Sequence, residues 1–477
     1  MLVVLAAAAI GLLVAYRMRG FFPDDALITL RFSRNLARGD GWTYNVGTTT
    51  AEGATSPAYT VAIAALSIPF RTATRAADVL FVGSFAAIAG FLALTYRRNA
   101  RWIASATLVL MFACSGILDT KAMETLPFLA VACAVLWAYS TERHVALGVL
   151  CALLVLIRGE GALLVVVILG QAWIIRRRPP LRTIVAGAIV ALPWVVYSLS
   201  RFGSLLPDTL AAKVAQRQSG DWGSGLLFFK GFFDLAGPLH YLGWLLVVGP
   251  LAVIGLVRGL RDRRLRPTVA PLVVATVMHS IAYGLIFNVP AYYWYYGWEL
   301  FTLAFLGAIA IDWLLERVIS LVGVRAPALV VGVAMLIGGV VSASTARVYT
   351  SATNSHYAAM GAWLADNTPP TARIAATEIG TIGWFSDRPI VDYLGLLDTK
   401  SIEEVRHGDL TSWLERTEPD YWVTHSPFWG FEVASQQPWF AIAYRPVYEA
   451  GPFADGFRLV VYQRVMSIAT AKASMPS

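Results

Sequence analysis

Long apolar runs recur along the first two thirds of the chain, and short polar loops separate them. Each run is long enough to cross, or nearly cross, a bilayer core of about 30 Å. Each therefore predicts a membrane helix. A single large soluble core would need charged surfaces between the runs, and the linkers are too short for that. The twelve runs lie at about 1–16, 56–70, 79–96, 102–118, 125–140, 145–157, 162–175, 183–199, 241–258, 268–288, 298–314 and 327–345.

The pattern changes after about residue 346, where polar residues, prolines and short alternating segments appear, as in Arg373–Ala376 and Pro389–Tyr393. Short alternating segments bounded by turn residues are typical of strands. The sequence therefore predicts a polytopic α-helical membrane module over 1–345 and a small soluble α/β domain over 346–477. Two longer polar connections, at 17–55 and 200–240, interrupt the apolar runs.

Composition supports a membrane protein, because 57% of the residues are hydrophobic and 14% are charged. Soluble domains have about a quarter charged residues. The net charge of +8 would suit nucleic acid, but the arginines cluster in short loops at 176–182 and 258–266. This is the positive-inside pattern of membrane proteins, so no nucleic-acid partner is expected. Cys114, Cys133 and Cys151 lie in apolar runs without metal or disulfide spacing, which indicates helix packing.

The arginine clusters also predict topology. If both clusters are cytoplasmic, 200–240, Glu124, Arg158–Glu160 and the C-terminal domain lie on the outer side. Counting the crossings forward from a cytoplasmic N-terminus places 17–55 on the outer side as well. This forward count and the count backward from the arginine clusters differ by one crossing. We therefore expect about eleven transmembrane helices in the cell membrane, with one run in the region 56–118 that does not cross.

The first outer loop contains two acids directly after a proline, Asp24 and Asp25, at the start of a predicted surface helix. Acids in the first turn suit the helix dipole. A carboxylate at the membrane surface would also suit a general base. Arg31 and Arg34 share a basic face that would meet anionic head groups or a phosphate. The residues alone leave these interpretations open.

Several other residues of the predicted outer face could belong to a site. Charges at membrane depth are costly and by default mark a site, although a solvated helix end is the alternative. Aromatic residues there stack on sugars or, more often, anchor the protein at the interface. The charged residues are Glu124, Arg158, Glu160 and Lys213, and the aromatic ones are Trp42, Tyr44 and Trp298.

The order of these motifs resembles that of GT-C-fold glycosyltransferases, in particular the terminal arabinofuranosyltransferases of mycobacterial cell-wall synthesis and their uncharacterised bacterial relatives. The similar motifs are Pro23–Ala26, Glu52–Pro57, Met123–Thr125, Arg158–Gly161, Pro207–Lys213 and, in the C-terminal domain, Glu378–Ser386 and Val391–Leu396. The chain departs from the pattern at Ala122 and Gly159, where relatives carry Gly and Pro. It also departs at Tyr292–Glu299, which lacks the relatives' Arg-Tyr pair.

The resemblance implies an inverting transfer on the outer face of the membrane. A polyprenyl-phosphate-linked sugar would be the donor, and a cell-envelope glycan, lipid or protein the acceptor. The acid of the first loop would be the base, with Asp24 expected first and Asp25 second. Both arabinosyl and mannosyl transfer fit the resemblance.

The resemblance also implies roles for the other residues. Lys213 and Arg158, with Arg31 and Arg34 behind them, would bind the donor phosphate. Glu124, Glu160, Trp42, Tyr44 and Trp298 would bind substrate. No cofactor is expected. The acids would suit a divalent metal, but a metal-free site is favoured because a phosphate-monoester leaving group needs less assistance than a pyrophosphate.

Two functions of other classes share part of this pattern. A transporter or flippase of lipid-linked sugars would have similar helices and buried charges. It would also predict pseudo-symmetric halves, which the sequence does not display. A non-catalytic glycan-binding subunit would be favoured by loss of Asp24 and Asp25, and both acids are present.

Overall fold

The structure is a computed structural model that describes residues 1–48, 53–96, 102–205, 207–220, 222–223, 225–235, 241–322, 337–338, 356–453 and 456–475. The chain divides into two compact units. The first unit comprises Met1–Pro23, Thr55–Gly203 and Leu226–Ser351, and the second comprises Asp24–Ala54, Ser204–Gly225 and Ala352–Ser477. The second unit thus combines parts of both predicted polar connections with the C-terminal region. The domain boundary near residue 346 stays a prediction.

Helices account for most of the chain up to residue 322. In chain order they are α1 (Leu2–Arg17), α2 (Asp24–Arg38), α3 (Pro57–Phe70), α4 (Ala73–Tyr96), α5 (Ile103–Phe112), α6 (Ser115–Leu118), α7 (Thr125–Ser140), α8 (His144–Ile157), α9 (Gly161–Arg176), α10 (Leu181–Phe202), α11 (Asp208–Ser219), α12 (Leu227–Asp234), α13 (Leu242–Arg261), α14 (Arg266–Ile281) and α15 (Gly297–Val322). A π-helical turn, Ala282–Ile286, extends α14, and a 3₁₀ turn, Tyr293–Tyr296, precedes α15.

Each of the first eleven predicted apolar runs coincides with described helix, and the run predicted at 327–345 lies almost wholly outside the described residues. Among the described residues, five helical segments are long and apolar enough to cross a membrane: Ala73–Tyr96, Leu181–Phe202, Leu242–Arg261, Arg266–Ile286 and Tyr293–Ser320. Six apolar helices are shorter. Of these, α5 has ten residues, which span about 15 Å, half of a bilayer core. Its length makes α5 the best fit to the run in 56–118 that was predicted not to cross.

Close helix packing in the first unit depends on glycine. A Cβ at Gly148 in α8 would overlap the Thr183 carbonyl of α10, and one at Gly255 in α13 would overlap the Leu306 carbonyl of α15. Small residues let membrane helices approach closely, where lipid offers no hydrophobic drive for their association. These glycines therefore fix the α8–α10 and α13–α15 pairs.

The second unit contains a five-stranded sheet. Its strands are β1 (Ile374–Ala375), β2 (Ile390–Val391), β3 (Tyr421–Ser426), β4 (Tyr444–Ala450) and β5 (Arg458–Arg464), in the order β2-β1-β3-β5-β4. β1 pairs in parallel with β2 and β3, whereas β5 pairs antiparallel with β3 and β4. Its helices are α16 (356–367), α17 (Ile379–Ser386), α18 (Thr399–Arg406), α19 (Ser412–Thr417), α20 (Phe440–Ala443) and α21 (Ile468–Ala473). This mixture of short strands and helices agrees with the predicted α/β architecture of the C-terminal region.

Two helices from the polar connections pack on the C-terminal region within this unit. Helix α2 packs against α17, and α11 packs against α18. Helix α2 is enclosed over most of its length, because its residues from Ala26 to Ser33 are all buried, with Leu30 and Phe32 fully so. On α11 the small residues Ala212 and Ala215 are buried in a cluster that includes Ile402, Val405 and Leu410. The acid-bearing loop is therefore held by the C-terminal region.

Candidate functional site

Asp24 fixes the start of α2 to the start of α17. Its carboxylate accepts hydrogen bonds from the backbone N–H groups of Gly380, at 3.1 Å, and Thr381, at 2.6 Å. These belong to the first turn of α17, where N–H groups have no partner within the helix. Burial, reinforced by the charge of Asp25, raises the pKa of Asp24 to about 6. Both oxygens of Asp24 are thus committed to holding the two helices together.

Asp25 is in a different situation, although it is the next residue. Its carboxylate accepts no hydrogen bond from the described residues, and it is partly exposed. Burial raises its pKa, and the positive charge of Lys213 on α11 opposes that rise. Lys213 itself is 5% exposed. A carboxylate whose pKa is raised by burial and on which a cation acts suits the role of a general base.

Arg31 is buried in the second unit and hydrogen-bonded to the chain itself. Its Nε donates to the Tyr44 carbonyl at 3.0 Å, Nη1 to the Gly383 carbonyl at 2.5 Å and Nη2 to the Arg388 carbonyl at 2.8 Å. The guanidinium also lies 4.3 Å from the centre of the Tyr44 ring. The three nitrogens thus join α2 to the loop after it and to the C-terminal region, and the phosphate-binding role of Arg31 stays a prediction.

The aromatic residues of the first loop are also packed inside the second unit. Tyr44 is fully buried and donates its hydroxyl to the Ile379 carbonyl at 2.5 Å. Trp42 is 6% exposed, and its ring centre lies 6.3 Å from that of Phe32. In these positions both rings stabilise the loop, and their sugar-stacking role stays a prediction.

Arg34 and Asn45 add further links between the loop and the C-terminal region. Arg34 forms an ion pair with Asp387 at 2.6 Å and is half-buried. The Asn45 side chain donates to the Ile390 carbonyl at 2.8 Å and accepts from the Ile390 N–H at 2.9 Å. Because Ile390 begins β2, Asn45 pairs with this edge of the sheet as another strand would. Most polar side chains of the loop therefore position it.

Glu378 is a further acid on which the charge of Asp24 acts. It begins one of the motifs that carry the family resemblance, but it was not among the predicted site residues. It is the residue before α17 and accepts a hydrogen bond from the Thr377 hydroxyl. Burial raises the pKa of Glu378 to about 8, and the negative charge of Asp24 adds to this effect. Glu378 therefore carries its proton at neutral pH, whereas Asp24 is mostly ionised. A cluster in which neighbouring acids hold protons unequally is typical of catalytic sites.

In the first unit, Arg158 lies between two glutamates. Its Nε lies 2.5 Å from a Glu160 oxygen, and its Nη1 lies 3.5 Å from a Glu124 oxygen. Nη1 also donates to the Thr125 hydroxyl at 3.1 Å and to the Trp294 carbonyl at 3.4 Å. The guanidinium lies 5.9 Å from the Phe128 ring, which contacts Trp298 at 5.0 Å between ring centres.

The predicted residues thus fall into two groups, each within one unit. The first unit brings together Glu124, Arg158, Glu160 and Trp298, and the second brings together Asp24, Asp25, Arg31, Arg34, Trp42, Tyr44 and Lys213. Two further ionisable residues, the buried His279 and the partly buried Glu299, lie in the first unit. The sequence signal for them was weak, because a single histidine in an apolar run and one acid at a helix start are common core features.

Comparisons with known proteins bear on the fold. Residues 346–467 match a family model described as a domain of unknown function (DUF8728). A search of curated proteins found no match. The crystal structure of ArnT from Cupriavidus metallidurans bound to undecaprenyl phosphate is similar over 100% of this chain and 99% of that chain, with a TM-score of 0.65 and 15% identity. The apo structure of the same protein gives 0.62 and 14% over the same shares of both chains.

ArnT is a GT-C glycosyltransferase. The chain has the GT-C fold. The predicted fold class, a polytopic helical protein with a small C-terminal α/β region, is confirmed. At such low identity the likeness establishes the GT-C fold alone. The nearer resemblance to arabinofuranosyltransferases stays a prediction.

Proposed function

We propose that this protein is an inverting membrane glycosyltransferase that moves a sugar from a polyprenyl-phosphate donor to a cell-envelope glycan, lipid or protein. The GT-C fold and the ArnT complex with undecaprenyl phosphate support the donor class. The observation that carries the proposal is the Asp25 carboxylate at the start of α2, a position fixed by the hydrogen bonds of Asp24 to α17; burial raises the pKa of Asp25, and the positive charge of Lys213 acts on it.

In this reaction Asp25 is the general base. The acceptor hydroxyl gives its proton to Asp25 while its oxygen forms a bond to the anomeric carbon of the donor sugar. The bond between that carbon and the phosphate oxygen breaks, and polyprenyl phosphate leaves with the electron pair. A single attack on the face opposite the phosphate inverts the anomeric configuration.

Asp24 has a positioning role in this proposal. Its two hydrogen bonds to α17 leave Asp25 at the second position of α2 with its carboxylate unengaged. This order reverses the sequence expectation, which put Asp24 first. Residues locked by packing and by surrounding hydrogen bonds hold a catalytic group more accurately than a free loop does.

Positive charge is needed where the phosphate leaves, because a phosphate monoester carries more charge than the diester. Lys213 is the first choice for this role, since its charge already acts on Asp25. Arg158 is the second choice, although Glu124 and Glu160 offset its charge. The proposal requires no metal ion.

The reaction is placed on the outer face of the cell membrane. The arginine-rich loops at 176–182 and 258–266 suit the cytoplasmic side. With those loops inside, the acid-bearing loop and the C-terminal region face outward, where envelope acceptors lie.

A transfer assay tests the proposal. Purified full-length protein would be incubated with undecaprenyl phosphate carrying arabinose, mannose or glucose, together with an envelope extract, with and without EDTA. We expect release of undecaprenyl phosphate and labelling of the acceptor with one donor, unaffected by EDTA. No transfer from any lipid-linked sugar, alongside movement of the intact lipid across vesicle membranes, would instead support a flippase.

A further inference from the structure

A buried histidine–carboxylate pair connects α14 to α15 in the first unit. His279 Nδ1 lies 2.7 Å from Glu299 Oε1, and the same oxygen accepts a hydrogen bond from the Ser280 hydroxyl at 2.9 Å. His279 is 1% exposed. Ionisable groups within a membrane bundle are costly and rare, and they usually face the bundle interior and mark a substrate or ion pathway.

Each member of the pair has one polar atom without a partner. His279 Nε2 and Glu299 Oε2 are buried and have no hydrogen-bond partner among the described residues. A buried polar atom left in this way costs about 1–3 kcal/mol. Two such atoms on one hydrogen-bonded pair indicate a position that another molecule occupies during function.

The pair belongs to the same polar and aromatic cluster as Arg158. The His279 ring lies 4.3 Å from the Tyr283 ring, and Tyr283 lies 5.1 Å from Tyr295, measured between centres. Tyr295 in turn lies 5.9 Å from the Arg158 guanidinium. The charges of Glu160 and Arg158 also act on His279. The unpartnered atoms are therefore part of a larger group of hydrogen-bonding and aromatic residues.

The charges of this cluster argue against an anionic ligand at the pair. Arg158 is already flanked by Glu124 and Glu160, and Glu299 adds a third carboxylate. An ionised carboxylate only accepts hydrogen bonds, so Oε2 of Glu299 needs a donor. A phosphate oxygen has no proton to donate and would be repelled.

Hydroxyl groups satisfy both atoms. When His279 Nε2 carries a proton, one hydroxyl accepts from it and donates to Glu299 Oε2. When Nε2 carries no proton, one hydroxyl donates to Nε2 and a second donates to Oε2. The rings of Tyr283 and Tyr295 add apolar faces of the kind that pack against flat organic rings. We propose that the His279–Glu299 pair binds hydroxyl groups of the sugar that the lipid donor carries. This inference rests on the proposed function and assigns part of the donor site to α14 and α15.

Binding of the bare lipid and of its sugar-bearing forms tests the pair directly. The dissociation constants of undecaprenyl phosphate and of its mannosyl, arabinosyl and glucosyl forms would be measured on purified full-length protein. Wild type should bind at least one sugar-bearing lipid more tightly than the bare lipid. Loss of one hydrogen bond to a charged group is worth roughly tenfold to a hundredfold in affinity. Glu299→Gln and His279→Asn should weaken the sugar-bearing lipid by that factor and change the bare lipid less than twofold.

Matched controls are Glu142→Gln and His144→Gln, since Glu142 is exposed, His144 is partly exposed, and both contact Arg176 instead. These variants should bind both lipids as wild type does. Equal weakening of both lipids by Glu299→Gln would assign the pair to phosphate and overturn the inference. Equal affinity of wild type for the bare lipid and for every sugar-bearing lipid would also overturn the inference. That result does not depend on the folding of any variant. Failure of the proposed function is distinguishable, because it appears as an absence of transfer whatever the ratio of the two affinities.

Discussion

The two acids that open α2 should respond very differently to the same change. In Asp25→Asn the amide cannot take a proton from the acceptor hydroxyl. Loss of a general base costs about 10²- to 10⁴-fold in rate, which corresponds to roughly 3–5 kcal/mol of barrier. Because Asp25 accepts no hydrogen bond from the described residues, its replacement should leave the thermal unfolding temperature nearly unchanged.

Asp24→Asn should have a smaller effect on the rate. The amide oxygen can still accept from the Thr381 N–H, the closer of the two donors at 2.6 Å. The hydrogen bond from the Gly380 N–H is lost, which leaves a donor without its acceptor at a cost of roughly 1–3 kcal/mol. Even if the whole cost reached the barrier, the rate would fall by roughly 5- to 150-fold, which lies near or below the low end of the range expected for Asp25→Asn.

The assay is kcat for sugar transfer from the lipid donor, measured between pH 5 and 9, with thermal unfolding of each variant in detergent. Burial raises the pKa of Asp25, and a base must be unprotonated, so wild-type activity should fall as pH drops through that raised pKa. In Asp25→Asn the remaining activity should not show this fall at low pH. The reasoning is refuted if Asp24→Asn costs as much rate as Asp25→Asn while both variants unfold at the wild-type temperature.

Three further changes test the surroundings of the site. Gly380→Ala places a Cβ against the Asp24 carbonyl and should destabilise the protein by about 1–3 kcal/mol. The unfolding temperature should fall, and proteolysis of the C-terminal region should become faster. Resistance to heat and protease equal to that of wild type would contradict the α2–α17 contact. Glu378 has a pKa of about 8 in the folded protein and 4.5 as its reference, so wild-type stability should fall as pH rises from 4.5 to 8. Glu378→Gln should make that fall shallower, and an unchanged pH dependence of the unfolding temperature would count against the assignment. Ala122 has a φ of +66°, in the left-handed region that is strained for alanine. Ala122→Gly should relieve this backbone strain and stabilise the protein by about 0.5–1 kcal/mol. A lower unfolding temperature of the variant would disprove this.

The membrane helices were predictable because the pattern that identifies them, a continuous apolar run, lies within one segment of the chain. A run such as 183–199 has to be apolar along its whole length whatever its neighbours are, and α10 covers it as Leu181–Phe202. The texture change after residue 346 similarly indicated short strands, since strand and turn residues have local preferences. Both features depend on residues close together in the chain.

The roles of the charged residues were harder to predict because their partners are distant in sequence. Asp24 binds residues 356 and 357 positions later, and Arg31 donates to carbonyls 352 and 357 positions later. Periodicity could place both residues on a surface helix, but it could not reveal that α17 would cover that helix. The interpretation of Arg31 as part of a basic face that meets head groups or a phosphate was made without that information.

His279 illustrates a different limit. In sequence it is one polar residue in an apolar run, which fits a satisfied core position as well as a site. Its significance comes from Glu299 on the next membrane helix and from the unpartnered Nε2. Pairing between helices depends on their relative rotation and depth, and hydropathy does not report either.

The most direct test of the central claim is the fate of the donor lipid in a single-turnover reaction. Wild type, mixed with one equivalent of undecaprenyl phosphate carrying the accepted sugar, should form undecaprenyl phosphate and glycosylated acceptor in equal amounts, with inverted anomeric configuration by NMR. Asp25→Asn should form about 10²- to 10⁴-fold less of both per unit time. Wild type that releases no undecaprenyl phosphate, or Asp25→Asn that matches it, would contradict the account.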